Sequence, residues 1–128
     1  MVTNVDNQDN TLRKKTKDFF IKSRDFHDNK GFCPIRSVLS MATDKWSMLV
    51  IFNLSYHETM RFNRFKHFIP DISSRMLSVT LKKLETANIV SRKVYAEVPP
   101  RVEYQLTDFG KGLSARMIEM SDWMTENY

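Results

Sequence analysis

The run Met60-Arg61-Phe62-Asn63-Arg64-Phe65-Lys66-His67-Phe68-Ile69-Pro70-Asp71, followed by Ile72-Ser73-Ser74-Arg75-Met76-Leu77-Ser78-Val79-Thr80-Leu81-Lys82-Lys83-Leu84, decides the fold. In its first part Phe62, Phe65 and either Phe68 or Ile69 recur at helical spacing. Pro70 and Asp71 stop that helix, because proline has no amide hydrogen to donate and restricts the residue before it. Ser73 or Ser74 then caps a second helix running to about Ala87. Leu77, Leu81 and Leu84 share one stripe of it. At about 100° per residue, Arg75, Ser78, Val79 and Lys82 fall on the opposite side.

Two alternating runs follow, Ile89 to Tyr95 and Arg101 to Leu106, joined by Ala96-Glu97-Val98-Pro99-Pro100. In the second, Val102, Tyr104 and Leu106 point one way while Arg101, Glu103 and Gln105 point the other, the signature of a half-buried strand. Met60-Arg61 can add a short strand to this hairpin. Helix, tight break, second helix and hairpin is the order of a winged helix-turn-helix, a mainly α fold with a small β-hairpin (α+β). The second helix of that motif enters a DNA major groove.

Several stretches also resemble landmarks of the HxlR-type family of MarR-like winged-helix transcriptional regulators. They are Cys33-Pro34, Asp44-Lys45-Trp46, Met60-Arg61-Phe62-Asn63, Met76-Leu77, Leu81-Lys82-Lys83-Leu84-Glu85 and Glu97-Val98-Pro99-Pro100-Arg101-Val102-Glu103-Tyr104. The hairpin segment and the tail Leu106-Thr107-Asp108-Phe109-Gly110 are the most specific of them. The resemblance runs from about Cys33 to Leu113. It implies a dimeric bacterial DNA-binding regulator whose wing contacts DNA.

Charge is unevenly spread along the 128 residues, whose formal net charge is +5. Between Thr59 and Arg101 nine basic residues face three acidic ones, an excess of six, so the remainder carries a net −1. The basic excess lies where phosphate contacts need it. The C-terminal segment, with Glu103, Asp108, Glu119, Asp122 and Glu126 against Lys111 and Arg116, is acidic and unsuited to lie on DNA. No apolar run approaches the ~20 residues of a membrane span, and the polar N-terminus lacks the pattern of a secretory signal. The single cysteine excludes an intrachain disulfide and fits a reducing compartment. The expected location is cytoplasmic, with no membrane partner.

Residues 1–12 are expected to be a disordered or weakly ordered tail, and 13–128 a single winged-helix domain with terminal dimerisation helices. Thr11 to Phe26 can form a helix with Leu12, Phe19 and Phe26 at heptad spacing. The basic run Arg13, Lys14, Lys15 and Lys17 near its start is either a solvated charge run or an accessory DNA contact. Gly31 ends this element. Pro34 suits the first turn of a helix carrying Ile35, Val38, Leu39 and Met41 or Ala42. Thr43 or Asp44 then caps a third helix with an apolar stripe of Trp46, Leu49, Val50 and Leu54, where Trp46 reads as a core anchor.

After the hairpin, Thr107 caps a long final helix. Phe109, Leu113, Met117, Met120 and Met124, flanked by Ile118 and Trp123, give it a broad apolar face. Packing back onto its own domain would cover that face, as would a second copy of the chain. The expected dimerisation set is Leu12, Phe19, Leu113, Met117, Met120, Trp123 and Met124. Two-fold pairing sets two recognition helices about one turn of duplex apart, ~34 Å.

Candidate DNA contacts are Arg61, Arg64, Lys66, Ser73, Ser74, Arg75, Ser78, Val79, Lys82, Arg92, Lys93 and Arg101. Arg can bond guanine in a bidentate manner, Val can pack on a thymine methyl, and Ser can serve several bases. An ordinary solvated helix face has the same look, and the flanking positive charge decides in favour of DNA. Arg101 follows two prolines that stiffen the hairpin tip, which suits a phosphate or minor-groove contact. Lys83 lies beside the core stripe, where it can snorkel.

Cys33 precedes a helix start that would favour its thiolate, with Arg36 one turn on. It is a candidate sensor, since members of the resembled family sense electrophiles, aldehydes or oxidants at the corresponding place. A small buried hydrophobe is the other reading. His27, His57 and His67 have no metal-ligand spacing, and no phosphate loop or catalytic constellation stands out. No cofactor is therefore expected, and no enzyme. The expected partners are duplex DNA, a second copy, and a small-molecule electrophile or ligand. A winged-helix adaptor binding protein instead of DNA shares the fold.

Overall fold

The computed structural model describes residues 2–31 and 35–128, with the backbone alone for 2–9, 35 and 37. It divides into two compact units, residues 1–40 and 41–128. The first holds α1 (Val2–Lys30), longer at both ends than the helix read from the sequence. Its end is set by Gly31, whose left-handed φ of 79° suits glycine. A π-helical turn, Ile35–Leu39, leads on to α2 (Ser40–Ala42). Cys33 and Pro34 lie outside the described residues.

The second unit contains α3 (Lys45–His57), β1 (Thr59–Met60), α4 (Phe62–Phe68), α5 (Ser74–Thr86), β2 (Val90–Tyr95), β3 (Arg101–Leu106) and α6 (Asp108–Asn127). The three strands form an antiparallel sheet in the order β1-β3-β2, with Met60 and Arg92 both opposite Tyr104 and Lys93 opposite Glu103. This is the winged-helix order read from the sequence, with Met60 in the added strand.

The starts of α3, α5 and α6 carry side-chain caps. Asp44 caps α3, its carboxylate accepting from the Ser47 amide at 3.0 Å. Of the two serines before α5 it is Ser73 that caps, accepting from the Met76 amide at 3.0 Å. Thr107 caps α6, accepting from the Gly110 amide at 2.9 Å while its hydroxyl donates to the Asn88 carbonyl at 2.7 Å. Asn88 has φ 60°, a conformation asparagine adopts readily. There the Ile89 amide bonds back to the Leu84 carbonyl at 2.9 Å and the chain turns into β2.

The core of this unit joins Val50, Ile51 and Leu54 of α3, Met60, Phe65, Ile69, Ile72, the α5 stripe Leu77, Leu81 and Leu84, and Ile89, Val90, Leu106 and Met117. Between Phe68 and Ile69, it is Ile69 that is buried, while Phe68 lies at the surface against His57 with ring centroids 4.3 Å apart. Trp46 is half-buried beneath the Lys45 ammonium, 4.4 Å from the ring centre, and Ile51 takes the central place in the α3 stripe. No helix among the described residues is long and apolar enough to cross a membrane.

Candidate nucleic-acid interface

α5 buries one face and leaves another free. With Leu77, Thr80, Leu81 and Leu84 turned into the core, Arg75, Ser78, Val79 and Lys82 all stand exposed. Val79 is 54% exposed, so an apolar side chain is held outward between polar neighbours. Such a face has no packing role within this unit.

α5 is tied down at both ends. At its start the Lys66 ammonium of α4 donates to the Ser74 hydroxyl at 2.6 Å. At its last turn the Lys83 ammonium donates to Asp44 Oδ2 at 2.5 Å. The same Asp44 oxygen accepts from the Ser47 hydroxyl at 2.8 Å. Burial pushes the Asp44 pKa up, but the bonds from Lys83 and from the Ser47 amide and hydroxyl, with the Lys83 charge, outweigh it, so the net shift is downward. Asp44 is therefore a charged crosslink as well as a helix cap. Lys83, which the sequence leaves as a snorkelling residue, is committed to it.

The wing carries the second group of cations. Arg101 is half-buried: its guanidinium lies 3.9 Å over the Tyr95 ring, 3.3 Å from the Glu97 carboxylate and, through Nε, 3.5 Å from that of Glu103. That Nε has no well-formed hydrogen bond, so the Glu103 contact is charge attraction at a distance. Arg101 thus staples the two strands of the hairpin together. Arg92 and Lys93 are both exposed, but as neighbours in a strand they leave opposite faces. Arg92 shares the side of Tyr104, which packs on Phe65 with centroids 6.1 Å apart, whereas Lys93 shares the side of Arg101. Arg61 and Arg64 are exposed and meet Pro100 and Arg101 along an open groove between α4 and the wing.

Within the second unit the structure therefore gathers Arg61, Arg64 and Arg101 along one groove, and Lys66, Ser73 and Ser74 at the start of the free α5 face. Sequence reasoning missed the Asp44–Lys83 pair; the Asp44 capping signal was legible, its partner was not. In the dimerisation set, Leu12, Phe19, Met120, Trp123 and Met124 are exposed and Leu113 is half-buried. Met117, grouped with the outward face in the sequence reading, is 3% exposed and belongs to the core of its own unit. Phe109 and Ile118 add to the exposed apolar surface of α6, as Phe20 and Ile21 do on α1.

A second helix presented by a short turn from a preceding one, flanked by a hairpin on a three-stranded antiparallel sheet, defines the winged helix-turn-helix class. Residues 41–128 match the family model described as HxlR-like helix-turn-helix, and the chain belongs to that family. It is similar to an uncharacterized HTH-type transcriptional regulator of Bacillus subtilis, YybR, with 36% identity over 106 residues, 83% of this chain and 84% of the relative. Among solved structures it is similar to the redox regulator HypR in its oxidized form, with a TM-score of 0.65 and 38% identity over 75% of this chain and 98% of that one. The diamide-treated YodB of B. subtilis gives a TM-score of 0.65 and 36% identity over 75% of this chain and 95% of its own.

Proposed function

We propose that this protein is a transcriptional regulator that binds a pseudo-palindromic DNA operator as a homodimer in a bacterial cytoplasm. The observation that carries the proposal is the free face of α5, on which Arg75, Ser78, Val79 and Lys82 stand exposed while the opposite stripe is buried. Arg75 and Lys82 supply charge, Ser78 a hydroxyl and Val79 an apolar contact, the chemistry that reads major-groove edges. Arg61, Arg64, Lys66, Arg92, Lys93 and Arg101 supply phosphate contacts, which give affinity without sequence preference. The exposed apolar residues of α1 and those of α6 each offer a surface to a second copy, and pairing two α5 helices requires an operator with two-fold symmetry.

The same proposal includes a response to electrophiles or oxidants through Cys33. The names of two similar structures, a redox regulator and a diamide-treated protein, support this part. With one cysteine in the chain, a disulfide would join two chains or a chain and a small thiol, each pairing releasing two electrons to the oxidant.

Selection of bound fragments from random duplex DNA with the purified protein tests the reading. Enrichment of an inverted repeat, with an affinity that falls steeply with salt, is the expected result. No enrichment, with binding to a protein partner instead, would support an adaptor and overturn it. Release of the selected DNA by diamide that survives in Cys33→Ser would remove the sensing part alone.

A further inference from the structure

Lys83 sits in the last turn of α5 and Asp44 at the start of α3, 39 residues earlier. They make a polar link between α5 and α3 at the end of the helix remote from Ser73, beside the buried Leu84. The ammonium donates at 2.5 Å to an oxygen that also accepts from the Ser47 hydroxyl, and the other oxygen of that carboxylate accepts from the Ser47 amide. Ser47 is fully buried, so the carboxylate is anchored to a fixed point of the core. About a third of the Lys83 side chain is exposed, and its head is turned to Asp44 rather than left free for a phosphate. At the other end of α5 the Lys66–Ser74 bond makes a second attachment. The buried stripe Leu77, Leu81 and Leu84 seats α5 on the core, and the polar attachments at its two ends limit how far it can rock on that seat.

We infer that the Asp44–Lys83 ion pair is a positioning device that sets the tilt of α5, so that the side chains reading base edges meet them in register. The inference rests on the proposed DNA-reading role of α5. Neither residue touches a base in this account. Loss of the pair leaves phosphate attraction in place, while base contacts, which demand a defined orientation, weaken.

Asp44→Asn and Lys83→Met separate this from plain electrostatics. Asn is as good an N-cap as Asp, so the first variant keeps an oxygen for the Ser47 amide at the α3 cap, while the charge and the Oδ2 acceptor of the Lys83 bond are removed. Asp44→Asn makes the protein more positive and Lys83→Met makes it less so. Charge alone would therefore tighten DNA binding in the first and weaken it in the second. Positioning gives both variants the same result: the ratio of operator to random-duplex affinity falls by about tenfold, the size of one lost base contact. Opposite changes in operator affinity with an unchanged ratio overturn the inference. Amide hydrogen exchange in the last turn of α5 gives a readout that needs no DNA. Faster exchange at Glu85 and Thr86 in Lys83→Met, with global stability largely kept, supports the clamp, and unchanged exchange rejects it. A wild-type protein with no preferred duplex but with this exchange difference would overturn the proposed function and leave the clamp standing.

Discussion

Gly110 lies so close to the Ile89 backbone that a methyl group in place of its hydrogen would overlap the Ile89 carbonyl oxygen. That oxygen already accepts from the Thr107 amide at 3.0 Å and hydroxyl at 3.2 Å. The start of α6 is thus clamped against the start of β2. Gly110→Ala should destabilise the protein by about 1–3 kcal/mol, as overpacking against fixed backbone does. At Gly112, on the same helix, a Cβ meets nothing within 4 Å, so Gly112→Ala should gain about 0.5–1 kcal/mol from helix propensity. Urea unfolding of the two variants checks the opposite signs. Equal shifts would mean that α6 does not approach β2 as described.

How much of this was legible in the sequence differs from one element to the next. The stripe Leu77, Leu81 and Leu84, the outward Arg75, Ser78, Val79 and Lys82, and a cap at Ser73 or Ser74 follow from local rules: periodicity, φ restriction at Pro70 and hydroxyl capping. That Ser73 is the one that caps came from the structure. The α6 stripe was legible as a face, but periodicity does not say which part of a face meets its own core. Met117 is buried there while Met120, three residues on, is exposed. The Asp44–Lys83 pair carries no local signal, because nothing in either neighbourhood encodes a partner 39 residues away. Arg101 was legible as a wing cation on the strand face of Glu103, but its contact with Glu97 depends on how the hairpin tip folds back.

Asp44 should give the protein an acid-labile component of stability. Its folded-state pKa lies below the ordinary value, so its contribution is present in full above the unfolded pKa of about 3.9 and is lost as pH falls through the folded value. Stability of wild type should therefore exceed that of Asp44→Asn near neutrality, with the gap closing below about pH 4. Because the pair is more than a third exposed at Asp44, solvent and salt screen it, and added salt should narrow the gap. Thermal unfolding followed by circular dichroism across pH measures this. A gap that does not narrow at all as pH falls below about 4 would assign the effect to something other than ionisation.

The two faces of α5 should respond differently to truncation. Leu81→Ala removes a buried side chain and should cost about 2–5 kcal/mol. Val79→Ala removes an exposed one and should change stability by less than about 0.5 kcal/mol. On DNA the order reverses: folded Val79→Ala should lose discrimination at one base-pair position of the selected operator. Binding profiles against single-base variants of that operator provide the comparison. Retention of the full profile would take Val79 out of the reading face.

In the wing, Arg101 shares its charge with Glu97 and Glu103. Arg101→Ala should leave two carboxylates without their cation and lower affinity for every duplex, reducing the salt slope by about 1. Glu97→Gln should do the reverse, because Arg101 then has one anionic partner fewer. Fluorescence anisotropy over a salt series distinguishes the two. If Glu97→Gln left affinity unchanged, the Arg101 charge would be spent wholly inside the hairpin.

Trp123 is 65% exposed, with Met120 and Met124 exposed beside it. An aromatic so placed contributes little to the fold of its own protomer, yet it presents a large apolar area to a partner. Trp123→Asp should therefore leave the unfolding midpoint of the protomer nearly unchanged while raising the dimer dissociation constant, by at least tenfold if the side chain is an interface anchor. Operator affinity should fall with it, because two half-sites bound by separate protomers lose the gain of linked binding. Sedimentation velocity over a concentration series reads the first effect, and titration on whole and half operators reads the second. Dimers of unaltered strength in Trp123→Asp would move the interface away from this face of α6.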